Sequence, residues 1–368
     1  MNPQLTHVRV AGFRSLKNVE IDLGPVTVLI GPNGAGKSNL LGALTMARMM
    51  AFGSLQLFVS RRGGATFLMH YGPRETPVLE LALEFTADKG QNAYQARLGY
   101  GADESLLFLD ERAGFRQAPD QPWDWYAMGA GHRESRLEEE AEKHATPRTV
   151  RWLLRRLNFY HFHDTSTNSA LRTLSSAEDD RYLRSDGSNL AAFLLSLRSS
   201  SEADCKAAWN RIFGLVRRVA PFVRELQPVA IGTRGVRLDW VDDRGETFGP
   251  AHLSDGTLRA IALLTALGQP TALLPILSVI DEPELGLHPA ALTMLCALIK
   301  SVAAHRQVIV STQSPAVLDE FAPEDVVVAE RKDGATSLHR LDPKELASWL
   351  DDYSLSELYD KNVLGGRP

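Results

Sequence analysis

Apolar and polar positions alternate in "LTHVRVAGF" and again in "LKNVEIDL", the period-two pattern of two strands joined by a short turn. The next run, "VTVLI", is a short, largely apolar run that stops at a glycine, as a strand covered on both faces does. Helical spacing takes over in "KSNLLGALTMARMMAF". Between Val78 and Asp110, "VLELALEF", "AYQARLGY" and "SLLFLD" return to strand patterning with glycine-containing turns, which predicts antiparallel sheet. "HRESRLEEEAEKHATPRTVRWLLRRLN" is charged and helical with a break at Pro147, and "NFYHF" after it is strand-like. From Ser166 to Val219 the pattern is mostly helical, and "VRLDWVD" predicts one more strand. "LLPILSVID", "QVIVST" and "DVVVAER" are then three short β-rich runs separated by helices, the parallel half of an α/β fold. "LSDGTLRA" reads as a helix start, with Ser254 and Asp255 as cap candidates ahead of apolar periodicity through Leu264 and Leu267. There is no repeat and no sustained heptad, so no coiled-coil arm is expected.

Composition changes this picture little. The 368 residues are 44% hydrophobic and 23% charged with a net charge of −5, which is ordinary for a globular protein and excludes a uniformly basic nucleic-acid clamp. Local basic faces remain: Arg148, Arg151 and Arg155 at helical spacing, and Arg211, Arg217, Arg218 and Arg224 further on. Such arginines contact phosphate backbones, or stand solvated or paired with acids such as Glu138 to Glu140. Cys205 and Cys296 lack metal-ligand spacing and read as reduced thiols, so a cytosolic location is expected. "MNPQLTHVRV" is not a secretion signal, and no apolar run is long enough to span a bilayer.

The chemistry is concentrated in three places. "GPNGAGKS", residues 31–38, fits G-x-x-x-x-G-K-[ST] with a strand before it and a helix after. Backbone N–H groups of such a loop ring a phosphate chain, Lys37 reaches the terminal phosphates, and Ser38 offers a hydroxyl to Mg²⁺. "VIDEPELGLHP" puts Asp281 and Glu282 at the tip of a buried strand: one acid to hold Mg²⁺, the next to polarise an attacking water as general base. "LSDGT" is a small-residue helix start, a second anion-seeking turn. "NFYHFHDTS" adds His161, His163 and Asp164, a His-x-His-Asp group open to three readings: a residue watching Mg²⁺, a structural histidine in a sheet, or an independent metal centre.

With these motifs in this order, the chain resembles the ABC-type ATPases, and within them the soluble branch of SMC, RecF-like and OLD-like proteins and the bacterial AAA_21 ATPases. "VRVAGFRSLKNVEIDL" is similar to the strands that precede the phosphate loop in that branch. The resemblance covers roughly residues 5–50 and 250–330. It implies an α/β P-loop NTPase of ABC-ATPase type, with a mixed-sheet core, an N-terminal antiparallel sheet and a helical lobe. The expected divisions are an N-terminal core part over 1–164, a mainly helical lobe over 165–250, and the signature helix with the C-terminal core part over 251–368. It further implies that Gly31, Pro32, Asn33, Gly34, Ala35, Gly36, Lys37, Ser38 and Asn39 bind ATP with Mg²⁺, and that Arg14 approaches the nucleotide. Ser254, Asp255 and Gly256 would meet the γ-phosphate held by a second copy, in a homodimer around two ATP molecules that is either ATP-dependent or constitutive. Asp281 and Ser38 would serve the metal, and Glu282 would be the base. His163 or Asp164 would replace the glutamine that watches Mg²⁺ in the family. Gln313 stands where the family usually has a γ-phosphate-sensing histidine. It still donates a hydrogen bond but does not titrate near neutral pH, so slow or less pH-dependent hydrolysis is expected. The output expected from the resemblance is DNA repair or anti-phage defence through a separately encoded effector nuclease, with DNA as a further partner and no membrane. The competing readings are a transporter ATPase subunit and a self-contained metal-dependent nuclease.

Overall fold

Phe13 stands opposite Leu16 across a turn of Arg14 and Ser15, which closes the antiparallel pair β1 (Gln4–Phe13) and β2 (Leu16–Asp22) that the alternation predicts. In the computed structural model, which describes residues 3–366, the chain continues through β3 (Val26–Ile30), α1 (Lys37–Ala51), α2 (Leu55–Arg61) and α3 (Ala65–Leu68). Four antiparallel strands follow: β4 (Val78–Ala87), β5 (Gly90–Tyr100), β6 (Leu106–Arg116) and β7 (Asp124–Gly129). Then come α4 (Leu137–Lys143), α5 (Ala145–Arg155), β8 (Leu157–Tyr160), β9 (Ser175–Ser176), α6 (Leu190–Ser199) and α7 (Ala203–Val219). The hairpin β10 (Glu225–Ile231) and β11 (Gly235–Val241) leads to β12 (Thr247–Phe248), α8 (Asp255–Gly268), β13 (Leu277–Asp281) and α9 (Pro289–Ala303). The last elements are β14 (Gln307–Thr312), α10 (Pro315–Leu318), β15 (Val326–Lys332), β16 (Ala335–Arg340), α11 (Pro343–Leu350) and α12 (Leu355–Asp360).

These elements pack as two units. Of the described residues, the first takes 3–158, 275–279 and 306–366; the second takes 159–274 and 280–305. The first unit holds a six-stranded antiparallel sheet, β2-β1-β4-β5-β6-β7, and the sheet β16-β15-β3-β14-β13-β8, from which β8 and β13 pass on into the second unit. β14 and β15 run parallel to β3 on either side, and β16 closes the edge antiparallel to β15. Every residue of β3 and of β14 is buried, which is why both are rich in β-branched apolar residues and neither alternates with exposed polar positions. Gln307 is fully buried on β14: its amide oxygen accepts from Leu5 N (2.9 Å) and its amide nitrogen donates to Leu5 O and Gly24 O (both 2.8 Å). That side chain satisfies the backbone of β1 beside the second sheet, where an unpaired N–H or C=O would cost about 1–3 kcal/mol.

In the second unit α6, α7, α8 and α9 pack in succession, and α6 also lies on the small sheet β10-β11-β12, to which β9 adds. Three expectations are corrected. The helical break lies at His144 (φ −128°, ψ 139°) rather than at Pro147, which sits in the first turn of α5 where its missing N–H costs no hydrogen bond. Residues 166–189 are turns and the two-residue strand β9 rather than helix. The Asn189 side chain holds them by donating to Asp179 O and Tyr182 O and accepting from Arg184 N. β10 escaped the pattern because Pro228 interrupts it; as an edge strand it tolerates the missing donor.

Candidate functional site

In the first unit the 31–38 loop leaves the C-terminal end of β3 and winds directly into α1. Gly36 takes φ +109°, and a Cβ there would overlap Thr336 Oγ1, so a side chain is excluded on both conformational and steric grounds. The reason is a short polar chain: Thr336 Oγ1 donates to Ala35 O (2.8 Å), so the hydroxyl of Ser15 supplies the hydrogen between Ser15 and Thr336 (2.7 Å). Asn39 Nδ2 donates to Ser15 Oγ (2.6 Å), so its side chain braces the β1–β2 turn against α1. Lys37 is buried and its ammonium reaches back across the loop to Gly31 O (2.5 Å) and Pro32 O (3.2 Å). Asn33, Gly34 and Ser38 are exposed at the mouth, whereas Gly31 and Ala35 are buried beneath it. A ring of backbone donors closed by one cation, with an exposed hydroxyl at the start of α1, fits a polyphosphate. Gln313 follows Thr312, whose register partner on β3 is Ile30, so it leaves the same end of the sheet as the loop.

Arg14, in left-handed backbone (φ +50°), lines a cleft of about 410 Å³ in the first unit with Ser15, Asn39, Phe67, His70, Tyr71 and Arg331. Burial, and then the charge of Arg62, hold the Arg14 guanidinium below its ordinary pKa, the direction expected where cations gather without an anion. This cleft is not visible in the sequence, because its walls come from separate segments around residues 14, 39, 70 and 331.

In the second unit Ser254 is the N-cap of α8, accepting from Thr257 N (3.2 Å). Asp255 does not cap; its carboxylate pairs with Arg172 at 2.7 Å. Arg172 also donates to Thr165 O, Pro250 O and Leu253 O, which fixes the approach to the helix. Gly256 is packed so close to Gly286 that a Cβ would run into the Gly286 carbonyl, so the glycine is needed for the "ELGLHP" loop to lie against α8. Arg259, one turn further along, donates to Phe162 O (2.8 Å), His163 O (2.9 Å) and Leu285 O (2.5 Å), tying three segments to one side chain. Burial lowers its pKa, opposed by the charges of Asp255 and Glu282. Sequence reading missed both arginines, since nothing local marks their carbonyl acceptors. An Arg259→Ala protein is expected to lose about 2–4 kcal/mol of stability, from three carbonyls stripped of a charged donor, seen as a lower melting temperature. An unchanged melting curve would count against that role.

Asp281 ends β13, and Glu282 beyond it is in left-handed backbone, φ +46°. A non-glycine residue there costs on the order of 1–2 kcal/mol, and such strain collects at functional positions. His163 Nε2 lies 3.9 Å from Asp281 Oδ2. Asp164 takes a different part: its carboxylate accepts from Ser166 N (3.0 Å) in a local turn, so of the two, His163 is the one brought to Asp281.

The basic faces are largely occupied. Arg148 donates to Ala141 O and Glu142 O, Arg151 to Ala51 O and Glu138, and Arg155 lies over the Phe52 ring at 4.4 Å. Arg211 caps the C-terminal end of α8 through Gly268 O and Gln269 O. No helix among the described residues is long and apolar enough to cross a membrane.

Residues 26–319 match the family model AAA_21, described as "AAA domain, putative AbiEii toxin, Type IV TA system". A stretch of 54 residues is 39% identical to the OLD nuclease of Thermus scotoductus, covering 15% of this chain and 10% of that one. Another of 119 residues is 34% identical to the DNA replication and repair protein RecF of Paenarthrobacter aurescens, covering 29% of this chain and 30% of that one. One of 56 residues is 41% identical to the hemin import ATP-binding protein HmuV of Photobacterium damsela subsp. piscicida, covering 15% and 21%. The chain thus spans less than a third of the length of each of these relatives. Among solved structures, an Smc head bound to the C-winged helix domain of ScpA superposes with a TM-score of 0.63 at 15% identity, over 94% of this chain and 99% of that one. An Smc head with an extended coiled coil, bound to the C-terminal domain of ScpA derived from Pyrococcus furiosus, gives 0.59 at 14% identity, over 95% and 99%. At such identities the likeness is one of fold.

Proposed function

The chain belongs to the AAA_21 family and is an ABC-type ATPase of the SMC, RecF-like and OLD-like branch, and from that footing we propose that it is an ATP-driven clamp, two heads closing around two ATP molecules and reopening on hydrolysis. The observation that carries this reading is the 31–38 loop, with Lys37 already held across its mouth. Backbone N–H groups of residues 33–38 hold the phosphate chain, and the Lys37 ammonium turns from its carbonyls to the terminal phosphates. Arg14 and its cleft lie beside Asn39 and have the size for the nucleoside part. Glu282 takes a proton from the attacking water, and Gln313 donates a hydrogen bond towards the γ-phosphate. Ser38 and Asp281 would hold Mg²⁺, which screens the charge on the phosphates.

The exposed start of α8 supports the second half of the reading. Ser254 and Asp255 are exposed, the helix is 14 residues long, and Arg172 and Arg259 hold its first turn in place. Such a helix start favours an anion, here the γ-phosphate held by the partner copy. The Asp255–Arg172 pair draws the carboxylate's charge to the chain's own guanidinium, which lessens its repulsion of that phosphate. The pathway we propose is DNA repair or anti-phage defence with a separately encoded nuclease, in a soluble cytoplasmic setting. The likeness to an OLD nuclease and to the DNA replication and repair protein RecF supports its nuclease and DNA-repair parts.

The test is Ser254→Arg. A long cation at the head-to-head surface fouls the partner's site but leaves the chain's own loop intact. ATP binding is expected within a few-fold of the parent, and hydrolysis is expected to fall to background. Undiminished hydrolysis would remove the α8 start from the mechanism.

A further inference from the structure

We propose that His161, His163 and Asp281 together bind a first-row transition-metal dication of the Mn²⁺ and Zn²⁺ class in preference to Mg²⁺, and bind it without nucleotide. One ligand atom from each of the three lies within 4.8 Å of those of the other two. Three donors each about 2.1 Å from one ion stand about 3.4 Å apart in tetrahedral geometry, so closure draws them together by no more than about 1.5 Å. Both imidazoles are exposed, and the Asp281 side chain is 17% exposed.

The chain prepares this arrangement. In the extended segment after β8, alternate residues face opposite sides. Tyr160 and Phe162 are buried, at 2% and 4% exposure, so His161 and His163 share the other side, with ring centroids 6.4 Å apart. The backbone at both histidines is pinned: His161 N donates to Ser185 O (2.9 Å), and Arg259 holds Phe162 O and His163 O. All three ligands and both anchors belong to the second unit. The donor chemistry then selects the ion. Mg²⁺ takes oxygen ligands and keeps much of its water, whereas two imidazoles and one carboxylate suit Mn²⁺, Fe²⁺, Co²⁺ or Zn²⁺. Three protein donors also leave coordination positions for water or a phosphate oxygen. Asp281 is the carboxylate assigned above to the nucleotide's metal, so the histidines would decide which metal that is.

The experiment is a titration of nucleotide-free protein with Mn²⁺, following the free-ion paramagnetic resonance signal. One Mn²⁺ per chain is expected, not displaced by a hundredfold excess of Mg²⁺. Binding is expected to weaken at least tenfold in His161→Ala and in His163→Ala and to be unchanged in Asp164→Ala. No Mn²⁺ binding, displacement by equimolar Mg²⁺, or full binding in His161→Ala would each overturn the proposal. Should a histidine variant fail to fold, Co²⁺ added to the unmodified protein decides instead. Visible bands with nitrogen-ligand character support the site, and a spectrum of aqueous Co²⁺ alone overturns it. Loss of Mn²⁺ binding with ATP binding intact contradicts this site only. Loss of ATP binding with Mn²⁺ retained contradicts the clamp only.

Discussion

A Glu282→Gln protein is expected to bind ATP as strongly as the parent and to hydrolyse it at least a hundredfold more slowly. A positioned general base contributes roughly 10²–10⁴ in rate, and glutamine matches glutamate in size while lacking the proton-accepting charge. The backbone makes the comparison clean: position 282 is at φ +46°, and both side chains meet the same left-handed penalty there. Arg259, which feels the Glu282 charge, keeps its hydrogen bonds to Phe162, His163 and Leu285. Phosphate release measured beside nucleotide binding separates the two effects. A variant that turns over at the parent rate would take Glu282 out of the chemistry.

Lys37→Ala should act one step earlier, on binding itself. Lys37 is 6% exposed and its ammonium is held by two loop carbonyls. Alanine removes the one cation inside the ring of backbone donors. Charged hydrogen bonds of this kind are worth about 1.5–3 kcal/mol, so ATP affinity is expected to drop by roughly ten- to a hundredfold. Hydrolysis should become undetectable, because the same group meets the charge that develops on the transferring phosphate. The carbonyls of Gly31 and Pro32 lose a donor as well, so the loop's melting behaviour should be checked alongside. Fluorescent-nucleotide titration reads the effect, and parent-like affinity would contradict the role given to the loop.

The sequence made the phosphate loop legible because its parts are contiguous: strand, glycines, Lys37, Ser38 and helix follow one another within about one turn of chain. The sheets were legible for a similar reason, since β1, β2 and β4 carry period-two patterns and β3, β13, β14 and β15 carry short β-rich runs. Side-chain partners set by distant chain were not legible. Asp255 reads as a cap candidate in the sequence, because its partner Arg172 lies 83 residues away in the chain. Arg259 carried no signal, since its acceptors are backbone carbonyls that any residue possesses. His161 and His163 looked paired with Asp164 by adjacency, yet a local hydrogen bond to Ser166 occupies Asp164, and the fold supplies Asp281 instead. Residues 166–189 misled in the other direction: scattered apolar positions suggested a helix where polar side chains hold turns.

The most direct test of the clamp is the mass of the Glu282→Gln protein in solution, measured by light scattering with and without ATP. Slowed hydrolysis should hold the closed state, so ATP is expected to double the mass from 40.5 kDa, and adding Ser254→Arg should return it to that of one chain. A protein that binds ATP and stays at the mass of a single chain would contradict the clamp.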